Sequence, residues 1–89
     1  MNADEIFSNL EEILNYNSLV FINRKNIEVV WAIRSDTDTV QGFVRVDNKV
    51  FPFKAWVEFE GELRVQIGNL IHFIIDSKTV EKAIQRESE

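Results

Sequence analysis

One histidine and two closely spaced aspartates are the side chains from which chemistry could be built. His72 is the only histidine and the chain has no cysteine, so a catalytic base or a metal site would need carboxylates from elsewhere in the fold. Asp36 and Asp38 have a calcium-loop spacing, but the further oxygen ligands and the terminal glutamate do not follow. Hairpin loops use the same residue types to bond their own backbone. We therefore predict a structural histidine, a turn, no metal and no cofactor.

Sequence patterns for phosphate binding or nucleophilic catalysis are missing. Gly42, Gly61 and Gly68 are the three glycines, and they are too scattered for a phosphate-binding loop or a dinucleotide fingerprint. No thiol nucleophile exists and no nucleophile elbow occurs. We therefore predict that the protein is not an enzyme.

Length, charge and hydropathy limit the remaining classes. The 89 residues, 45% of them hydrophobic, suffice for one small domain spanning 1–89. A net charge of −5 opposes direct binding of nucleic acid. The first charged residues, Asp4 and Glu5, are acidic rather than basic, and the longest mainly apolar run is the six residues 70–75, which include His72. These features predict no signal peptide and no membrane contact. Together with the lack of cysteine, this favours the cytoplasm.

The first element is an amphipathic helix over 3–16. Its apolar residues recur at helical spacing, and Asn2 with Glu5 resembles a capping box. Asn15 or Asn17 is predicted to end the helix, because asparagine tolerates the left-handed conformation.

Runs rich in β-branched and aromatic residues follow, separated by short polar connections. They cover residues 19–23, 27–34, 39–46, 50–59 and 63–68. Short connections join antiparallel neighbours, so the sequence predicts a β-meander. The β-branched residues of 70–75 favour a further strand there, followed by a helix over 78–86, while one long helix from Asn69 to about Arg86 stays open as the alternative. Pro52 is expected to interrupt its strand locally.

Strand register is predicted from apolar residues that must face each other across each hairpin. A loop at Asn48-Lys49 places Val44 opposite Phe53. The same test places Trp31 over the bare backbone of Gly42. The third hairpin pairs three apolar positions across a loop around Gly61: Phe59 with Leu63, Val57 with Val65 and Ala55 with Ile67. One continuous apolar face results, and the first helix is expected to cover it.

The predicted fold class is therefore α+β. It consists of an N-terminal helix, an antiparallel meander of five to six strands that could curl into a partial barrel, and a short C-terminal helix.

The opposite face of this sheet carries two aromatics among polar residues. In the predicted registers, Phe43 and Trp56 lie diagonally on adjacent strands and are framed by opposite charges, Glu28 with Arg45 and Glu58 with Arg64. An apolar centre inside a polar rim is typical of a protein contact surface. The predicted partner-binding residues are Val30, Phe43, Arg45, Lys54, Trp56, Glu58 and Arg64.

These residues favour a non-catalytic interaction module, of inhibitor or adaptor type, that binds a protein partner. Three occupants of the second face stay open: the chain's own termini, a second copy in a homodimer, and a foreign protein. Two other functions stay open as well. One is a small-ligand domain with a pocket lined by Trp31, Phe53 and Phe59, and the other is an acidic inhibitor that imitates nucleic acid.

Overall fold

The chain forms a five-stranded antiparallel sheet with helices on one side. The computed structural model describes residues 2–21, 27–69 and 71–87. The strands follow one another in chain order as neighbours, so the sheet is an open meander and does not close into a barrel. The elements are α1 (Ala3–Ser8), α2 (Leu10–Phe21), β1 (Ile27–Asp36), β2 (Thr39–Val46), β3 (Lys49–Val57), a 3-10 turn (Phe59–Gly61), β4 (Leu63–Ile67), β5 (Ile71–Ile75) and α3 (Ser77–Glu87).

One face of the sheet is the core face, and all three helices pack on it. The predicted helical stripe is confirmed, since Ile6, Ile13 and Leu14 are fully buried. They meet inward-facing strand residues and the buried residues of α3 in a single cluster. The largest fully buried side chains are Ile6, Ile13, Leu14, Val44, Leu63, Val65, Ile75 and Val80. The predicted α+β architecture is therefore confirmed.

The N-terminal helix differs from the prediction in two ways. It breaks at Asn9, whose carbonyl starts the second helix by accepting from the Ile13 N–H at 3.0 Å. The second helix then continues to Phe21, so the strand predicted from residue 19 is wrong as far as 21, and residues 22–23 lie outside the described chain. The helix runs through Asn15, whose side chain bonds the backbone of Ile27 on β1 at 2.6 and 2.9 Å.

Residues Asp47 and Asn48 form the turn between β2 and β3. Both have positive φ, 51° and 69°, as the two central residues of a tight hairpin turn require, and Asp and Asn adopt this conformation more readily than Lys. The register therefore differs by two residues from the prediction, and Val44 pairs with Phe51. A shift of two keeps every side chain on its predicted face, so the core face survives.

A β-bulge in β1 turns part of that strand over. Val29 pairs with Val44, but Trp31 pairs with Phe43, so Val30 is an extra residue. The predicted placement of Trp31 over Gly42 is therefore wrong. A Cβ at Gly42 would lie 1.9 Å from the Trp31 carbonyl oxygen, which shows that this glycine is needed for close backbone approach at the bulge.

The connection between β3 and β4 is longer than predicted. Val57 pairs with Leu63, so the loop has five residues and Phe59 lies in its 3-10 turn with 90% of its surface exposed. Glu60 and Gly61 both have positive φ there. All three predicted pairings of this hairpin are therefore wrong by two residues: Leu63 pairs with Val57, Val65 with Ala55 and Ile67 with Phe53. The cause is that the tight loop assumed for Gly61 alone opens into two left-handed residues.

Pro52 does not interrupt the β2–β3 ladder, contrary to prediction. It pairs with Phe43, and its carbonyl accepts from the Gly68 N–H at 2.8 Å, just past the end of β4. The N–H and the carbonyl of a residue in an antiparallel strand point to the same neighbouring strand, which for Pro52 is β4. The N–H that proline lacks would therefore point just beyond the end of β4, and the ladder with β2 loses no hydrogen bond.

The predicted C-terminal strand and helix are confirmed as β5 and α3. The Asp76 side chain caps α3 by accepting from the Thr79 N–H at 2.8 Å. That backbone hydrogen bond, then the Thr79 hydroxyl and the charges of Lys78 and Lys82, lower the pKa of Asp76. In the described ranges, no helix has the length and apolar content that crossing a membrane requires.

Candidate functional site

The second face of the sheet is the candidate site because no described helix lies on it. α3 packs against α2 and the 3-10 turn, on the core side. The described C-terminal helix therefore does not cover this face, and the large side chains there are open to solvent. Trp31 is 53% exposed and Phe43 is 44% exposed.

Trp31 and Phe43 form an aromatic pair at the centre of an apolar region. Their ring centroids are 6.2 Å apart with an interplanar angle of 37°, within the range of attractive ring contacts. The bulge at Val30 creates this pair, because it moves Trp31 from the predicted core face to the face of Phe43. The surrounding apolar side chains are similarly exposed. We call this set the apolar patch: Val30, Trp31, Ile33, Phe43 and Val50.

Trp56 lies in a separate, more polar cluster. Its indole Nε1 donates to Glu58 at 2.9 Å, the Lys54 ammonium lies 5.7 Å from its ring centre, and the His72 ring lies 5.8 Å away. Phe43 is paired with Pro52, four residues along β3 from Trp56, or about 13 Å at strand spacing. The predicted adjacency of Phe43 and Trp56 is therefore wrong, and the two-residue register shift is the cause.

Both predicted ion pairs form on this face. Arg45 contacts Glu28 at 2.6 Å, and Arg64 contacts Glu58 at 3.6 Å and Glu62 at 3.1 Å. Each pair is substantially exposed, so its contribution to stability is about 1 kcal/mol or less. These ion pairs hold their charged groups at fixed positions, one pair at each end of the face.

All seven predicted partner-binding residues belong to the outer face, but they do not form one site. Val30, Phe43 and Arg45 lie in or beside the apolar patch, whereas the other four form a group around Trp56 that consists of Trp56 itself, Lys54, Glu58 and Arg64. Sequence reasoning missed Trp31, Ile33 and Val50. Gly42 was the one feature of the sequence that could have indicated the bulge. An isolated glycine inside a strand can mark a bulge or a close backbone approach, and not only a position that an aromatic side chain covers.

The side chains considered for chemistry have local structural roles. Asp36 accepts from the Asp38 N–H at 2.9 Å, which confirms turn chemistry for that loop, and His72 stacks against Trp56 on the outer face. Over the described ranges no three His, Asp or Glu side chains come together as a metal site.

The aromatics proposed for a ligand pocket are far apart. Trp31 lies on the outer face, Phe53 is buried in the core, and Phe59 projects from the β3–β4 loop. The predicted pocket lining is therefore wrong.

Comparison of the chain with protein-family models, curated proteins and solved structures gave no match.

Proposed function

We propose that the protein is a non-catalytic interaction module, of inhibitor or adaptor type, that works in the cytoplasm by binding protein through the open face of its sheet. The observation that carries this proposal is the half-exposed Trp31–Phe43 pair at the centre of the apolar patch. Large aromatic side chains in a contiguous exposed region are typical of contact surfaces in proteins that are otherwise well packed.

The sheet supplies a rigid support for this surface. Phe43 lies on β2, which is hydrogen-bonded on both sides, to β1 and β3. Trp31 lies on β1, whose outer edge is held by α2, since the Glu11 carboxylate accepts from the Val29 N–H at 2.7 Å. A preorganised surface loses little conformational entropy on binding, so more of the buried area contributes to affinity.

The charges on this face favour protein over nucleic acid as the partner. Its cations are few, and Arg45 and Arg64 are already paired with carboxylates. A nucleic-acid surface needs unpaired cations that neutralise successive phosphates. Imitation of nucleic acid is equally disfavoured, because the acidic residues of the face are the partners of those arginines.

The proposed function is tested by removing the aromatic pair while keeping the fold. The variant carries Trp31→Ser with Phe43→Ser, and the matched control is Ile74→Ser, which alters a residue of the same face that is 49% exposed but lies outside the patch. Tagged wild type and control should retain the same specific proteins from a lysate, and the double variant should lose them.

Stability of the same variants separates contact surface from core. Half-buried side chains contribute about half of a full burial, so the double variant should lose no more than about 3 kcal/mol. Phe53→Ala, at a core residue, should lose about 3–5 kcal/mol on its own. A double variant that is unfolded, or that retains every captured protein, would refute the proposed function.

A second candidate function is small-ligand binding, and one observation favours it. An open cleft of about 370 Å³ lies at the end of the sheet, within the size range of ligand sites. Apolar side chains predominate in its lining, among them Val46, Phe51, Ile67 and Phe73. A thermal-shift screen with apolar metabolites tests this function, because a ligand of the folded state raises Tm. Phe73→Ser should abolish any such rise, whereas Trp31→Ser should leave it unchanged.

A further inference from the structure

We propose that the occupant of the apolar patch is a second copy of this chain, packed sheet against sheet in a two-fold symmetric dimer. This inference rests on the proposed function, since it names the partner for the same surface. Face-to-face packing of two twisted antiparallel sheets, about 10 Å apart, buries outward side chains of the kind that the patch presents. Two-fold dimers also use the same surface on both copies, so one patch is sufficient.

The exposed area of the patch matches what such a dimer needs. The five side chains are each between 44% and 53% exposed, which leaves roughly 400 Å² of apolar surface at about 150–250 Å² per large side chain. Adding the rim of Glu28, Arg45, Pro52 and Lys54 brings each copy to about 600 Å², and two copies to the lower limit of about 1,200 Å² for a specific interface. The dimer is therefore expected to be reversible rather than permanent.

The charge distribution lets two copies of this face approach each other with little repulsion. The whole chain carries −5. Three cations and four carboxylates belong to this face or contact it, a net −1: Arg45, Lys54 and Arg64 against Glu28, Asp36, Glu58 and Glu62. Most of the excess negative charge therefore lies elsewhere on the molecule. Sheet-against-sheet packing keeps the helices, with the acidic first turns of α1 and α2, on the two outer sides of the dimer.

The pairing of charges at the rim also suits a second copy. The Glu28–Arg45 ion pair presents both signs side by side. The pair is neutral as a unit, so the rim needs no partner with an opposite net charge. A foreign partner of strong net charge would leave one member of each pair facing a like charge.

Phe43 is expected to lie near the symmetry axis. It occupies the middle strand of the patch, with Trp31 on β1 to one side and Val50 on β3 to the other. An axis at this position brings both copies of β2 close together. A residue on the outer face of β2 should therefore approach its own symmetry mate, whereas residues of α3 should be far from theirs.

Sedimentation equilibrium over about 5–500 µM tests for the dimer, a range that covers the affinities expected of a small interface. Wild type should shift from monomer to dimer within it. Trp31→Glu should weaken the dimer at least about 30-fold, the effect of losing one dominant contact. Ile74→Glu, a matched change on the same face, should alter the dissociation constant by less than about 3-fold, the ordinary effect of a surface change away from the contact.

Single cysteines then test which face is used, and the chain has no cysteine of its own to interfere. Gln41→Cys, next to Phe43 on the outer side of β2, should cross-link efficiently with a short bismaleimide. Glu81→Cys, exposed on α3, should not.

The outcomes separate this inference from the proposed function. A folded wild type that stays monomeric at 500 µM, or a dimer that cross-links through position 81 and not 41, overturns the inference. The wild type could be monomeric and nevertheless capture specific proteins from a lysate that the Trp31→Ser with Phe43→Ser variant does not capture. In that case the proposed function stands, and its partner is a foreign protein. If Trp31→Glu and Phe43→Glu are both unfolded by circular dichroism, the patch is core and both proposals are wrong.

Discussion

Replacing Gly42 by alanine should destabilise the protein more than the same change at either of the other two glycines. The added Cβ would lie 1.9 Å from the Trp31 carbonyl oxygen and 2.8 Å from the Ala32 Cα. Ordinary contact begins at 3.4 Å, so β1 and β2 would have to separate locally by about 1.5 Å, a large displacement for a packed interior. Both clashing atoms belong to the backbone, and no side-chain rotation can relieve the contact.

The cost has two parts. Overpacking one methyl group costs about 1–3 kcal/mol, and weakening the ladder hydrogen bonds beside the bulge adds about 1–2 kcal/mol. We expect a loss of about 2–5 kcal/mol in the free energy of unfolding, a large share of the 5–15 kcal/mol typical of small domains. For a domain of this size the corresponding fall in Tm is at least about 8 °C.

Gly61→Ala is the matched control. Gly61 has φ +84°, and the nearest atom to an added Cβ is the Ser77 Cβ at 3.8 Å. This substitution therefore costs only the left-handed conformation, about 1–2 kcal/mol. Urea unfolding followed by far-UV circular dichroism measures both variants.

The opposite result would refute the bulge. In a regular register, Gly42 would be an ordinary strand glycine, and alanine would stabilise the protein by about 0.4–1 kcal/mol. A Gly42→Ala variant as stable as wild type would therefore show that β1 has no bulge, that Trp31 lies on the core face and that the apolar patch does not exist.

Three further predictions concern the turn, the strand edge and the last helix. Asn48→Gly should raise the free energy of unfolding by up to about 1 kcal/mol, because residue 48 has a positive φ. Lys49→Gly should lower the free energy of unfolding by about 0.5–1 kcal/mol, because residue 49 is a strand position. Urea midpoints that shift in the opposite directions would show that the turn is formed by Asn48 and Lys49. Asn15→Ala should cost about 1–3 kcal/mol, since the Ile27 backbone N–H and carbonyl lose the two bonds that Asn15 makes, and an unchanged urea midpoint would show that these bonds contribute nothing. Asp76→Ala should be less stable than wild type at pH 7. The pKa of Asp76 in the folded protein is lowered from 3.8, so the stabilisation by its carboxylate is present above pH 3.8 and is lost as the pH falls through the folded-state pKa. The urea midpoints of the two proteins should therefore converge below pH 3.8. A constant difference between them would contradict the assigned pKa direction.

Much of the fold could be predicted from the sequence because the signals were local and periodic. The helical stripe around Ile6 and Ile13, the β-branched strand runs and the cap at Asn2, which accepts from the Glu5 N–H, each depend on residues within one element. Strand faces depend only on a period of two, so they survived a register error of two residues at the Asp47-Asn48 turn.

The candidate site was harder to predict because it depends on irregularities. One extra residue, Val30, inverts the rest of β1, so Trp31 and Ile33 changed faces. The alternation of apolar residues gives no sign of such a slip when the bulged strand is apolar on both sides. Turn length decided the place of Phe59 in a different way, because a five-residue loop removed it from the ladder without inverting a strand.

The most direct test of the open contact face is the solvent accessibility of Trp31 in a Trp56→Phe variant, where it is the only indole. Acrylamide should quench its fluorescence readily at about 1 µM protein, because half of the side chain is open to solvent, and quenching should fall as the concentration rises to about 500 µM and the sheets associate. Blue-shifted emission that acrylamide barely quenches at 1 µM would place Trp31 in the core of the single chain and contradict the contact surface.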